Sequence, residues 1–319
     1  MMSISTQNSH PSKYKIQRKP GEKVGIGTSV RVIVMVGIGA IFAIPIIGFV
    51  AMGFRSNEDV ASGKGGFLGL GSVSIHNAIN SFHTINAFGP GKGGLFTQWI
   101  TNSVLLSVAA CALGVFSSLP AGYALARLRF KGKRTVLFLT LLAMTMPNTV
   151  LVVPIFLEVD KINSVGQLWP LMVLLGFFPF GTYLSYIHFM TTLPHELVEA
   201  ARLDGLGDIE TFIKVALPIA KQAIALVCFY NIIAVWTNFF LPLALLSSSQ
   251  NHQTITLGLQ QLIGASPLFN PTIAAGLTVK LYMPQLALAT FLSTLPLLAI
   301  FIFAQRYLLR GQTLGAVKG

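Results

Sequence analysis

Six stretches of twenty or more residues have no charged side chain in their interior, and a water-soluble fold cannot absorb that many. They cover residues 32–54, 100–126, 136–156, 169–189, 220–246 and 286–307. A hydrocarbon layer about 30 Å thick needs roughly 20 apolar residues at helical rise, so each stretch predicts a membrane-spanning helix and the chain an all-α, polytopic membrane protein. Composition agrees: 53% of residues are hydrophobic, only 10% are charged, and the mean hydropathy is +0.69. Soluble domains carry roughly 25% charged residues, so a cytosolic enzyme, a nucleic-acid-binding module and a disordered chain are excluded.

Charge then orients the spans. Of 22 Lys and Arg, seventeen fall on the face holding both termini: Lys13, Lys15, Arg18, Lys19, Lys23 and Arg31 before the first span, a cluster from Arg127 to Arg134, then Arg202, Lys214, Lys221, Arg306, Arg310 and Lys318. The opposite face has Arg55, Lys64, Lys92, Lys161 and Lys280. Positive charge accumulates on the cytoplasmic side, which places both termini there and gives the +12 net charge a membrane origin. The expected organisation is a basic cytoplasmic tail over 1–31, disordered before Lys13, a six-helix domain over 32–307 with a cytoplasmic loop at 191–219, and a cytoplasmic tail over 308–319. The first apolar run is long and lacks a cleavage site, so it reads as a retained span. The glycine runs at 63–66 and 89–94 lack phosphate-loop spacing and read as flexible outer loop.

None of the ten carboxylates lies inside a span. Proton- and sodium-coupled carriers keep such groups in the membrane as ion sites, so transport by this chain needs energy from elsewhere. Pro45, Pro120, Pro147, Pro154, Pro179, Pro242 and Pro296 interrupt the spans, and tolerated kinks and working hinges account for them equally. Cys111 and Cys228 read as small buried hydrophobes. The histidines have no metal spacing, and nothing assembles a nucleophile with a base: no catalytic residue, metal ligand or cofactor site is expected.

The most polar ordered stretch joins the fourth and fifth spans. Pro194 and Glu196 suit a helix first turn, and that helix should end near Asp204. Gly205 and Gly207 permit a left-handed exit, Asp208 can cap a second helix, and Ile209, Phe212, Ile213 and Leu217 recur at helical spacing up to Pro218. The segment reads as a helix-turn-helix knuckle presenting Ala200 and Ala201 beside Glu199 and Arg202, or simply as a solvated loop with helical ends.

Glu199-Ala200-Ala201, Gly205 three residues on, and Val215-Ala216-Leu217-Pro218 after nine more resemble the signature loop of binding-protein-dependent ABC importer permeases, with Val215 for the usual isoleucine. Further pieces match the carbohydrate, MalG-like branch in order: Asn102-Ser103, the run from Ala121 to Phe130, Trp236-Thr237-Asn238-Phe239, Thr256-Leu257-Gly258-Leu259, Gln305-Arg306-Tyr307 and the Gly315-to-Gly319 end. Thr237 departs from the usual asparagine after Trp236.

The resemblance implies a transport subunit in a bacterial or archaeal inner membrane. Its knuckle (Glu199, Ala200, Ala201, Asp204, Gly205, Leu217, Pro218) would be a coupling helix docking on an ATPase dimer, with Glu199 paired to a basic residue there. Gly315, Ala316, Val317, Lys318 and Gly319 would make a second ATPase contact. ATP and Mg would bind the ATPase subunits and not this chain. Other implied partners are a second, different permease chain, an extracytoplasmic sugar-binding protein and membrane lipid, with no nucleic acid. Spans without Lys or Arg favour a neutral, hydroxyl-rich solute such as a sugar or oligosaccharide. The alternative is a glycerol-phosphate-type solute with cations supplied by the partner, and a scaffold or secondary carrier is the rival from another class. Aromatic faces and amides recognise sugars, so Tyr183, Tyr186, Tyr230, Asn231, Trp236 and Asn238 are pathway candidates, although each also serves as packing or interfacial anchor.

Overall fold

The computed structural model describes residues 26–64, 69–89 and 93–313, and every element there is helical. In order they are α1 (Ile26–Met52), α2 (Asn57–Ala61), α3 (Ile75–Asn86), α4 (Leu95–Arg127), α5 (Lys133–Thr145), α6 (Val152–Lys161), α7 (Trp169–Gly176), α8 (Pro179–Thr192), α9 (His195–Leu203), α10 (Asp208–Thr211), α11 (Leu217–Ile219), α12 (Lys221–Trp236), α13 (Phe240–Leu246), α14 (Ile255–Gly264), α15 (Pro271–Ala275) and α16 (Met283–Thr313). A π-helical turn, Phe212–Ala216, joins α10 to α11. The described residues divide into two compact units, one up to residue 47 and one from residue 48. In the first, Ile33, Ile41 and Phe42 are exposed, as suits a helix apolar around its circumference and solvated by lipid.

Among the described residues four segments are long and apolar enough to cross a membrane: Val30–Met52, Leu95–Arg127, Trp169–Thr192 and Met283–Gln305. A fifth arises if Asp208–Ile219 and Lys221–Trp236, bent by 80°, are taken together. The expected third stretch is divided into α5 and α6, and the fifth into α12 and α13.

Proline causes these divisions. Its missing N–H strips the carbonyl four residues earlier of its helical partner, and inside a membrane that carbonyl must find another donor. Side chains from distant elements supply it. Leu175 O, ahead of Pro179, accepts from Asn231 Nδ2 at 3.1 Å; Met190 O, ahead of Pro194, accepts from Arg127 Nη2 at 3.2 Å. Turns that precede a helix are held in the same way: Asn238 O, before α13, accepts from Thr256 Oγ1 at 2.9 Å, and Gly166 O, before α7, is bonded to His252 Nδ1 at 2.7 Å. The broken helices are therefore pinned where they break.

Helix α4 is the centre of the second unit. It meets α8 closely enough that a Cβ on Gly122 would lie 2.4 Å from Ser185 Cβ and 2.7 Å from Tyr186 N. Buried clusters follow α4 from end to end: Phe96, Trp99, Leu262 and Leu286; then Leu106, Leu171 and Leu245; then Leu119, Tyr123, Phe189, Leu193 and Ala216. Cys111 on α4 is buried, Cys228 on α12 is half-buried, and both are free thiols. After Arg55 the described residues form α2 and α3. Arg55 is buried, its Nε donating to Ser72 Oγ at 2.8 Å and its Nη2 to the carbonyls of Asp59 and Lys64. Beyond it α3 buries Ser81 and Ile85. Residues 65–66 and 90–92 of the two glycine runs lie outside the described residues, as do the tails 1–25 and 314–319.

Candidate solute cavity and coupling knuckle

The breaks in three helix pairs converge on one cavity of about 470 Å³. Asn148 comes from the α5–α6 break, Phe178 and Phe180 from the α7–α8 break, and Asn231 and Asn238 from α12 and the turn after it. No lining side chain is charged. Asn231 is fully buried, one arm tied to Leu175 O and its Oδ1 without a partner. An unsatisfied buried amide oxygen costs about 1–3 kcal/mol, which a hydroxyl donor in the cavity would relieve. Amides beside aromatic faces bind hydroxylated, uncharged solutes.

Of the candidates from the sequence, the cavity gathers Asn231 and Asn238 and leaves out four. Trp236 is buried in the core, its indole N–H donating to Ser293 O at 3.1 Å. Tyr230 packs edge-on against Phe180 with centroids 5.2 Å apart, behind the lining. Tyr183 and Tyr186 stack on each other at 6.3 Å along α8 and do not line the cavity. Asn148, Phe178 and Phe180 escaped the sequence reading, although each sits beside a span-breaking proline, Pro147 or Pro179, which is the signal that could have found them.

The knuckle is built as the sequence predicts, with two corrections. Pro194 precedes α9, Glu196 lies in its first turn and Arg202 in its last. Gly205, at φ +86°, sends its N–H back to Arg202 O and Leu206 its N–H to Ala201 O, a Schellman exit that favours glycine. Asp208 does not cap α10. Gly207 holds the cap position, its N–H donating to Glu210 Oε2 at 3.3 Å, and Asp208 instead pairs with Arg202 at 3.0 Å. The Lys214 ammonium and that N–H hold the Glu210 carboxyl below its ordinary range. The second correction concerns Ala201, which is buried with Val198 against the bundle, because three-residue spacing puts both on the inner face of α9.

Facing outward are Glu199, Ala200, Asp204, Gly205 and Pro218, with Leu217 half-buried. Among the described residues Glu199 has no ion-pair partner. One helical turn on, Leu203 is 89% exposed, while Ile209 (75%) and Ile213 (54%) line an apolar groove against Phe116 and Leu119 of α4. An exposed leucine one turn from an unpaired carboxylate on a polar segment marks a protein-docking surface. Residues 315–319, the expected second contact, lie outside the described residues.

Described residues that are helical throughout their regular elements, with several membrane-length apolar helices and a charge-free cavity, define a multi-pass membrane protein of the permease type. The profile of the family described as "Binding-protein-dependent transport system inner membrane component" matches residues 118–313, well over half the chain. The chain belongs to that family: it is a membrane permease of ABC transporters, a transport subunit and not an enzyme. It is 27% identical over 283 residues, 88% of this chain and 93% of the other, to the arabinooligosaccharides transport system permease protein AraQ of Halalkalibacterium halodurans. It is 28% identical to the maltodextrin transport system permease protein MdxG of Bacillus subtilis, over 70% of this chain and 77% of that one. The crystal structure of a bacterial ABC transporter involved in the import of the acidic polysaccharide alginate shares the fold, with a TM-score of 0.69 over 88% of this chain and 95% of that one at 22% identity.

Proposed function

We propose that this chain carries a neutral sugar or oligosaccharide inward as one of two permease subunits in an ATP-driven importer. The observation that carries the reading is the charge-free cavity in which Asn148, Asn231 and Asn238 face Phe178 and Phe180. A phosphate or carboxylate would enter it without a counter-charge, at a desolvation cost that neutral hydroxyls avoid. Relatives whose names specify arabinooligosaccharides and maltodextrin support the same class.

In this reading six spans cross the inner membrane, α5 with α6 and α12 with α13 each forming one broken span, and both termini are cytoplasmic. The knuckle docks in a cleft of an ATPase subunit through Glu199 and the exposed Leu203. ATP and Mg bind to the ATPase dimer, and its closure drives α9. A different permease chain completes the pathway, and an extracytoplasmic binding protein delivers the solute. Uptake by the reconstituted assembly tests it. Neutral oligosaccharides should compete for transport and glycerol phosphate should not; competition by glycerol phosphate alone, or isolation of the chain from its membrane without an ATPase, would overturn the reading.

A further inference from the structure

We propose that Arg127 is the positioning residue that fixes the direction of the knuckle, making α4, α8 and α9 move as one body. The inference rests on the reading that α9 docks on an ATPase. The weak point in that path is the joint between α8 and α9. Pro194 has no N–H, so α8 cannot continue through it and Met190 O loses its helical donor. A helix end with orphan carbonyls also carries the negative end of the helix dipole.

Arg127, the last residue of α4 and only 8% exposed, fills this joint. Its Nη2 donates to Phe189 O at 2.8 Å, to Met190 O at 3.2 Å and to Leu193 O, so that one cation on α4 gathers the last carbonyls before the knuckle. The end of α4 is held in turn by Lys133 Nζ, 3.3 Å from Ala126 O and 3.2 Å from Leu128 O. A ring cluster closes the other side: Tyr123 of α4 lies 5.7 Å from Phe189 of α8 and 5.3 Å from Phe212 behind α10. With the guanidinium in place, a push on α9 turns α4 and α8 together; without it, the same push is absorbed by bending between Leu193 and Pro194.

The test uses the complete assembly in proteoliposomes, with ATP hydrolysed per solute imported as the first readout. Arg127→Gln should leave ATP hydrolysis near wild type while uptake falls roughly tenfold, the factor expected when a charge-assisted hydrogen bond is lost, so that ATP per solute rises by about the same factor. Arg127→Lys should restore much of the loss, because an ammonium can still bond two carbonyls. The second readout is the distance between spin labels at Phe116→Cys and Leu197→Cys, sites 80% and 44% exposed and outside the docking contact, in a Cys111→Ala/Cys228→Ala background. It should be narrow with arginine, broad with glutamine and intermediate with lysine. If Arg127→Gln does not assemble, the lysine variant carries both comparisons. An unchanged ATP-per-solute ratio with an unchanged distance distribution overturns the assignment. Failure of the wild-type chain to hold any ATPase overturns the importer reading instead, so the two failures are told apart.

Discussion

Replacing Gly122 by valine should damage this protein more than any other single added methyl-bearing side chain on the α4–α8 contact. The new Cβ would stand 2.4 Å from Ser185 Cβ, 2.7 Å from Tyr186 N and 2.8 Å from Ser185 C. Carbon atoms pack at about 3.5 Å or more, so α8 must retreat by about 1 Å. Two of the three obstacles are backbone, which no rotamer change relieves. Overpacking costs typically about 1–3 kcal/mol, and a valine with two further carbons falls at the upper end. Valine recovers about 0.4 kcal/mol of helix propensity over glycine, leaving a net loss of about 2 kcal/mol, or a fall in Tm of about 3 °C for a chain of this size. Thermal unfolding of the purified assembly in detergent measures this directly. Adding Ser185→Gly removes the shortest contact but not the backbone ones, so a double-mutant cycle should show partial rescue. Because α8 runs into the knuckle, uptake should fall as well. A Tm within about 1 °C of wild type would refute the close crossing and with it the treatment of α4 and α8 as one body.

Three other substitutions test separate parts of the site. Gly205→Ala places a Cβ at φ +86° in open space, so its cost of about 1 kcal/mol is backbone strain alone, read as weaker retention of the ATPase with a fall in Tm of only about 1–2 °C. Asn231→Leu removes the bond to Leu175 O and the free Oδ1; uptake should drop about fivefold to tenfold, from one lost hydrogen bond to solute, while basal ATP hydrolysis stays unchanged. Trp236→Phe loses the N–H bond to Ser293 O and should lower stability by about 1–2 kcal/mol without altering which solutes compete, since Trp236 belongs to the core.

Much of the architecture is legible along the chain because water and lipid act on each segment separately. Uncharged length specifies membrane helices, and the sequence Pro194 to Pro218 specifies a knuckle whose turn needs Gly205. The site was legible only in part. Asn231 and Asn238 stand out as amides in apolar surroundings, but Trp236 and the tyrosines look just as suitable until packing shows which are enclosed. The third and fifth stretches read as continuous because hydropathy is blind to where a helix breaks.

Local chemistry thus determined on its own that this is a helical membrane protein with Glu199 on a polar loop, and the resemblance of the motif from Glu199 to Pro218 supplied the permease. Tertiary structure decided the rest: that Asn148, Phe178 and Asn231, far apart in the chain, share one cavity, and that Arg127 caps a helix it does not belong to. The physical reason is the proline-freed carbonyl. Each break creates a polar group that lipid cannot satisfy, and only the folded arrangement of helices determines which distant side chain answers it.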